Sequence, residues 1–596
     1  MTLLPLLQII LVLATALGIC LVSVPLIIRY APHHGGIDLP DALGRKVHTT
    51  PISRLGGIAI FLSFFVTYIF WSRGPALTGI LAGSMLIFFV GLLDDFKSLP
   101  AKFRLATQLV CCSGAVAFTG LAPKALALTP SFVVSLPPVL GFLIAVFVIV
   151  GAINSINMID GLDGLAGGVV VIGIAMLSFI HLQRTDSLWL ALTIGFPIIG
   201  AILGFLRYNT HPAKVFMGDG GSNWLGYMTG VYILLVLGDY QIVGSLAGAT
   251  GSATDIALKS LASPKVSMQS TAVPLLSVMM CFSLPILDTL YVMISRWRNG
   301  VNPMQPDKRH FHHTLLRVGL SHSQSVTAVY FLALLGGVLG VVPIAFPKFN
   351  LWWVPYVGLA FLTVTVPLGA ASDGRILEKI LTSRAVASRD PKVGSKLRHF
   401  LRMWEAVNRY GVYFLLFVSP AFAGVAPEPI GQAAAVGAAV VFISMFVRSG
   451  KGDFLDSLIL SMGAGILFIA NNQNTMMVEM LGTRYSIQTF YNGIFIGLFT
   501  SAALFVLVTV RKKYFITTPS DFLLVTLPMV LLLVPEPYQS RYLLNTIALR
   551  CLILFLVMRC LVRTKKLVIH RIKLVTCFGL LYIAMTSLMN LRIVYH

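Results

Sequence analysis

Four residue groups of this chain combine side chains able to hold a metal ion and phosphates. They are Asp94-Asp95; Asn154, Asn157, Asp160 and Asp163, recurring every three residues with Gly161 and Gly164 among them; Phe216-Met217-Gly218-Asp219-Gly220-Gly221-Ser222; and His310-Phe311-His312-His313. Each stands on a polar stretch between long apolar runs. Carboxylates at the edge of a bilayer are costly and tend to mark function. Acids gathered beside glycines, amides and histidines point to phosphate chemistry at a membrane surface.

The groups differ in how much they say. Neighbouring side chains on a helix diverge by about 100°, so Asp94 and Asp95 do not serve one ligand identically. One faces a metal or a phosphate while the other anchors the local fold; taken alone, the pair could equally cap a helix or balance Lys97. The three-residue spacing of Asn154, Asn157, Asp160 and Asp163 makes each a neighbour of the next if the segment is helical. Gly161 and Gly164 would loosen that helix where backbone approaches a ligand. Amides donate to phosphate or base oxygens, and carboxylates take a hard cation or a ribose hydroxyl. Asp219, flanked by glycines, can reach a cation–pyrophosphate unit unhindered, with Asn209 and Lys214 upstream. Phe216 is read either as a stacking platform for a base or as an interfacial anchor. Arg309, His310, His312 and His313 suit phosphate; zinc is the competing ligand, disfavoured because no cysteine is near. Asp288 lies within the ninth apolar run and is expected to support the site. Lys46 and His48 add basic groups before Arg54-x-Gly56-Gly57.

The elements that must position these residues are membrane helices. Of 596 residues, 57% are apolar and 11% charged, and the mean hydropathy is +0.86. Continuous apolar stretches near 20 residues predict an all-α, polytopic membrane protein rather than a barrel. About 18 spans are expected: about eleven core spans, including 76–93, 105–121, 137–153 and 272–294, and about seven C-terminal ones. The opening run, 3–28, reads as a retained span because it lacks a basic n-region and a cleavage site. Residues 1–370 form one membrane domain holding every motif, 371–410 a basic loop, and 411–596 an extension of unassigned role. The segment 239–271, rich in Gly, Ser, Ala and Thr, reads as a loop. Net charge is +22, but the Lys and Arg residues lie in short loops that thread to one side. That is the orientation signal for a cytoplasmic face, and the four motif groups fall on it. Nucleic-acid binding is excluded as the meaning of the charge, since no folded basic module is present. A transporter would place acids at mid-span within inverted repeats, a pattern this chain lacks. The seven cysteines have no metal-type spacing and read as core residues.

Together the Asp94-Asp95 pair, the N-x-x-N-x-x-D-G-x-D-G-L-A run at 154–166, F-M-G-D at 216–219 and H-x-H-H at 310–313 resemble the polyprenyl-phosphate N-acetylhexosamine-1-phosphate transferase family, the WecA/MraY group, over roughly residues 1–370. The resemblance implies transfer of a sugar 1-phosphate from a UDP-N-acetylhexosamine to undecaprenyl phosphate at the cytoplasmic face of a bacterial inner membrane, with release of UMP and the start of cell-surface polysaccharide synthesis. It implies Mg²⁺, with Mn²⁺ as the alternative, on Asp219 with Asp94 and Asp95. Asp94 is favoured as base; Asn157, Asp160, Asp163, Asn209 and Phe216 would line the nucleotide site, and Lys46 and the histidines would meet phosphates. Direct attack and a covalent aspartyl intermediate both accord with it. The broken histidine run resembles the N-acetylglucosamine branch; the phospho-MurNAc-pentapeptide branch and a non-catalytic scaffold are the alternatives. Expected partners are membrane lipids, a second copy of the chain, and downstream glycosyltransferases docking on the C-terminal spans.

Overall fold

The computed structural model describes 4–31, 35–38, 51–71, 77–129, 132–184, 189–237, 273–300, 310–317, 320–346 and 349–371. Beyond these it describes shorter segments, of which 408–417, 428–446, 463–468 and 566–588 are the longest. Lys46, His48, Arg309, the 239–271 segment and several C-terminal spans lie outside the described residues. The chain divides into two compact units, 9–385 and a second formed by 1–8 with 386–596.

The first unit is helical. Its elements are α1 (Leu4–Tyr30), α2 (Gly56–Trp71), α3 (Thr78–Lys97), α4 (Ala101–Thr119), α5 (Pro138–Ile159), α6 (Leu165–Arg184), α7 (Phe196–Asn209, entered through a π-turn at Ala191–Gly195) and α8 (Gly218–Leu237). They continue with α9 (Leu275–Met280), α10 (Ser283–Arg298), α11 (Phe311–Arg317), α12 (His322–Ala345) and α13 (Val354–Ala371). Among the described residues, six helices are long and apolar enough to cross a membrane: 11–30, 78–97, 138–159, 165–183, 191–209 and 322–345. The protein is a polytopic helical membrane protein. The run expected as one span at 272–294 is broken instead into α9 and α10, with Cys281 and Phe282 between them. Pro285, in the first turn of α10, has no N–H to carry a helix through this point. Two short antiparallel pairs also occur here, β1 (Ile37–Asp38) with β2 (Ile52–Ser53) and β3 (Ala125–Thr129) with β4 (Phe132–Ser135).

Burial sorts the helices into centre and rim. The spanning part of α6 is wholly buried, and α8 is buried from Gly220 through Val236. Both are apolar all round, as a helix enclosed by others must be. α8 packs on α3 and α5, and α6 on α12 and α7. The outer helices keep large apolar side chains exposed, among them Ile69, Phe118, Val139 and Phe147. Those faces need lipid rather than water, since chains of the same polarity as the bilayer interior lose nothing there. The described cysteines are free thiols, and all but Cys111 are buried.

Helix ends form the polar layer. α3 runs on past Asp94 and Asp95 and ends at Lys97, where Ser98 turns left-handed (φ 48°) and Pro100 follows. α5 continues to Ile159, so Asn154 and Asn157 are helical while Asp160–Gly164 is a turn. Ser321 and Gln324 cap each other's backbone N–H groups and so fix the start of α12 at His322. In the second unit α14 (Glu428–Phe446) packs on α15 (Lys566–Leu588), where the buried Lys573 donates to the Ser444 carbonyl at 2.9 Å. β5 (Met477–Met480) pairs with β6 (Thr483–Ser486).

α8 begins at Gly218, whose φ is +74°, with the Arg54 carbonyl and the Asp95 carboxylate where a Cβ would stand. Gly218→Ala therefore combines left-handed strain with a clash against backbone. It is expected to lower the melting temperature in detergent by several degrees; an unchanged melting curve would show that the α8 start tolerates a side chain.

Candidate active site

Asp95 sits at 9% exposure in the last turn of α3. Its Oδ1 accepts the backbone N–H of Asp219 at 2.7 Å and its Oδ2 that of Gly220 at 2.9 Å. These are N–H groups of the first turn of α8, which have no partner within the helix. A carboxylate there satisfies them and meets the positive end of the helix dipole. Asp94 points elsewhere, as the 100° divergence requires. Its Oδ1 accepts the Leu99 N–H at 2.5 Å and its Oδ2 the Arg104 guanidinium at 2.8 Å. Both acids thus enter the site already engaged on each oxygen.

Asp219 differs from them. Its Oδ1 accepts from Asn157 Nδ2 at 2.6 Å and lies 3.8 Å from Arg104. Its side chain is 26% exposed, against 4% for Asp94. Asn157 also donates to Ser222 Oγ, one turn along α8. Asn154 faces away, to Gln108 of α4 and to the Val150 carbonyl. Three-residue spacing therefore joined Asn157 to Asp219 but turned Asn154 toward the α4–α5 contact. Burial and the neighbouring carboxylates of Asp219, Asp95 and Asp163 push the half-buried Asp160 up to about 7. Several carboxylates with no thiolate among them are the donor set of a hard divalent cation.

Asp163 joins three segments. Its Oδ2 pairs with His211 Nδ1 at 2.7 Å and accepts the Ala213 N–H, while its own N–H donates to His322 Nε2 at 3.1 Å. The rings of His211 and His322 stack 4.2 Å apart. The ligand-type atoms of the three lie within 4.8 Å of one another. Because His322 Nε2 already accepts a backbone N–H, the group works as a hydrogen-bonded junction. Asn209 is a second clamp, 4% exposed, with Oδ1 on the Gly164 N–H and Nδ2 on the Val215 carbonyl. Lys214 is exposed on the same loop, with its backbone bonded to Tyr208. The Phe216 N–H donates to the Ser53 carbonyl at 2.7 Å, and its own carbonyl accepts from Gly56. The 209–217 loop, β2 and the start of α2 are thereby held together.

The histidines pack against the turn after α5. His310 Nδ1 lies 2.9 Å from Asp288 Oδ2, and Asp288 Oδ1 accepts the Phe311 N–H at 2.8 Å. His312 is 2% exposed, and neither ring nitrogen has a partner among the described residues. Its Nε2 lies so close to Gly161 that a Cβ there would collide with the ring. Burial, then the neighbouring His313, His310 and His322, hold its pKa well below the usual range. His312 is therefore neutral at pH 7 and offers one N–H and one lone pair. A buried polar ring with both nitrogens idle is rare in a finished interior and marks a place that a ligand completes. His313 tilts against it at 4.3 Å and is half-buried.

The structure thus gathers Asp94, Asp95, Asn157, Asp219 and Arg104 at the meeting of α3, α4, α5 and α8, and His312 with the turn at Gly161. Sequence reasoning missed the parts played by Arg104, Ser222, His211 and His322. Arg104 is one of the Lys and Arg residues near span ends whose pattern signals only orientation, and no motif contains the two histidines.

A membrane fold whose acids and amides converge at helix ends beside a buried histidine group suits phosphate chemistry at a bilayer. The family described as glycosyl transferase family 4 matches residues 77–237. A Bacillus subtilis protein named as a probable undecaprenyl-phosphate N-acetylglucosaminyl 1-phosphate transferase is 32% identical over 366 residues, covering 60% of this chain and 90% of that one. A Mycolicibacterium smegmatis decaprenyl-phosphate N-acetylglucosaminephosphotransferase is 32% identical over 304 residues, 48% of this chain and 70% of its own length. The Yersinia pestis undecaprenyl-phosphate alpha-N-acetylglucosaminyl 1-phosphate transferase is 28% identical, with 52% and 77% covered. The chain belongs to this family of membrane sugar-phosphate transferases, on its N-acetylglucosamine 1-phosphate side.

Asp160 also sets a pH dependence. A carboxyl whose folded pKa is raised above its unfolded value binds a proton more tightly when folded, so its ionisation costs stability as pH rises toward and through 7. A divalent cation needs the ionised form and reverses this. Thermal stability in EDTA should therefore fall between pH 6 and 8, while the stabilising effect of added Mg²⁺ grows, its apparent affinity rising about tenfold for one proton released. Asp160→Asn should make both trends shallower; identical slopes in wild type and variant would remove Asp160 from the cation site.

Proposed function

We propose that this protein transfers N-acetylglucosamine 1-phosphate from UDP-N-acetylglucosamine to undecaprenyl phosphate, releasing UMP, at the cytoplasmic face of a bacterial inner membrane. The observation that carries the reading is Asp219. Its backbone is fixed by Asp95 and its carboxylate by Asn157, with Arg104 3.8 Å away, and its side chain is more open than that of Asp94, 26% against 4%. In the reaction an oxygen of the lipid phosphate bonds to the sugar-bearing phosphorus. The bond from that phosphorus to the oxygen it shares with the UMP phosphate breaks, and its electrons leave with UMP. Two anions must approach, so charge neutralisation and alignment dominate the barrier. Magnesium bound at Asp219 and Asp160 would neutralise pyrophosphate charge.

The residues divide the remaining work. Asp95 positions the α8 start, and Asn157 sets the orientation of the Asp219 carboxylate. Arg104 supplies positive charge beside Asp94 and Asp219, where the lipid phosphate enters, and Asp94 takes any proton that phosphate carries. His310, His312 and His313 meet the transferred phosphate. Asp163 and Asn209 hold the walls of the nucleotide site in register, and Phe216 and Lys214 line it. A lipid acceptor accounts for catalytic groups on helix ends at the bilayer edge.

Purified protein in detergent, given undecaprenyl phosphate, Mg²⁺ and radiolabelled UDP-N-acetylglucosamine, should move label into the lipid fraction and release UMP. EDTA should abolish transfer. Asp219→Asn should lower kcat by about 10³-fold, the loss of several kcal/mol of charge stabilisation. A well-folded sample that moves no label, or an Asp219→Asn variant with full activity, sinks the reading.

A further inference from the structure

Asp288 is a buried acid that the reaction as described does not use. It lies in α10 at 2% exposure, and His310, its partner, is 6% exposed. Each carboxylate oxygen has one assignment: Oδ2 faces His310 Nδ1 at 2.9 Å, and Oδ1 accepts the Phe311 N–H at 2.8 Å. A carboxylate buried this deeply is stable only when its oxygens are bonded. Here the two bonds fix both the ring of His310 and the backbone just after it. The pair spans 22 residues of chain and joins α10 to the start of α11.

We propose that Asp288 is a positioning residue for transfer, acting through His310 by holding it in the tautomer with the proton on Nδ1, so that Nε2 is the nitrogen presented to the transferred phosphate; this rests on the function proposed above. An ionised carboxylate only accepts hydrogen bonds, so the His310 nitrogen facing it must carry the proton. In the neutral ring Nε2 is then the lone-pair nitrogen, and on gaining a proton it becomes a donor beside a fixed counter-charge. A second-layer acid fixing the tautomer and angle of a working imidazole is a recurrent arrangement. The neighbouring ring gives the placement its context. His312 lies nearly parallel to His310, centroids 5.6 Å apart at 13°, and abuts Gly161 in the turn that bears Asp160. His312 has no carboxylate partner and is kept neutral by burial. The two histidines are therefore set up differently: His310 is paired with an acid, while His312 has no partner among the described residues and is kept neutral by burial.

Asp288→Asn tests this with little steric change. The amide oxygen can still accept the Phe311 N–H, but the amide nitrogen then faces His310 and, as a donor, requires Nδ1 to be the acceptor. The tautomer flips, and Nε2 carries the proton. In the full-length protein kcat should fall between about 10-fold and 100-fold, as for loss of an outer-layer partner, with KM for the nucleotide sugar nearly unchanged. Asp288→Glu, which keeps an acceptor, should recover part of the rate. Because Asp288 acts through His310, the His310→Gln and Asp288→Asn double variant should be no slower than His310→Gln alone. Nitrogen NMR of protein carrying ¹⁵N-histidine, with His310 assigned by its loss in His310→Gln, should show Nδ1 protonated in wild type. That wild-type measurement stands even if Asp288→Asn does not fold. Full kcat in Asp288→Asn, additive losses in the double variant, or a wild-type Nε2–H tautomer would each overturn the proposal while leaving transferase activity intact. Absence of transfer by the wild-type protein would overturn the functional reading and this one with it.

Discussion

The site depends on one interaction across the bundle: the carboxylate of Asp95, at the end of α3, receiving the first N–H groups of α8. Each side of this contact is expensive alone. A carboxylate at 9% exposure without bonds would not remain ionised, and N–H groups at a buried helix start without acceptors cost about 1–3 kcal/mol each. Brought together, each partner bonds what the other leaves open. Gly218 is what lets the surfaces meet, since any side chain there would strike the Arg54 carbonyl and Asp95 itself. Once α8 is seated on Asp95, the backbone of Asp219 has one position, and the rest of the cation end of the site is built from it.

The remaining polar groups extend that frame and sort by how much capacity they keep. Asp95, Asn209 and Asp163 have their principal atoms committed within the protein, to α8, to Gly164 and Val215, and to His211, Ala213 and His322. They hold walls. Asp219, Asp160 and His312 are left under-used: one is partly open, one is pushed toward neutrality by its neighbours, and one has two idle nitrogens. Unused capacity in a covered site is what a ligand replaces.

Much of this was legible in the sequence. Apolar stretches of about 20 residues require membrane helices, and acids beside glycines at their ends mark the polar layer. Residue types alone identified Asp219 and the histidine run. Three things were not legible. The break between α9 and α10 lies inside a continuous apolar run, where hydropathy carries no signal, and only Pro285 hints at it. The partners of Asp95 and Asp163 stand 124 and 159 residues away, a pairing that depends on how helices pack and not on local pattern. Arg104 looked like one more basic loop residue, and its reach to Asp94 exists only because the turn at Ser98 and Pro100 folds α4 back beside α3.

For the proposed reaction, the same geometry lets two substrates of opposite character meet. A polyprenyl phosphate keeps its chain in lipid and offers only its headgroup at the bilayer edge, whereas a nucleotide sugar arrives from water. Helix ends are the one part of a polytopic bundle that both can reach. The first turn of α8 supplies dipole and backbone N–H groups at that level, but Asp95 takes those N–H groups before any substrate arrives. A helix start left open would bind phosphate directly. Closed by a carboxylate, it serves instead as a rigid mount for Asp219, and the site becomes acidic where its substrates are anionic. Two phosphate-bearing substrates would be repelled from such a surface without a cation between them, so the way α8 is anchored is itself a physical reason for the proposed enzyme to work through a divalent ion.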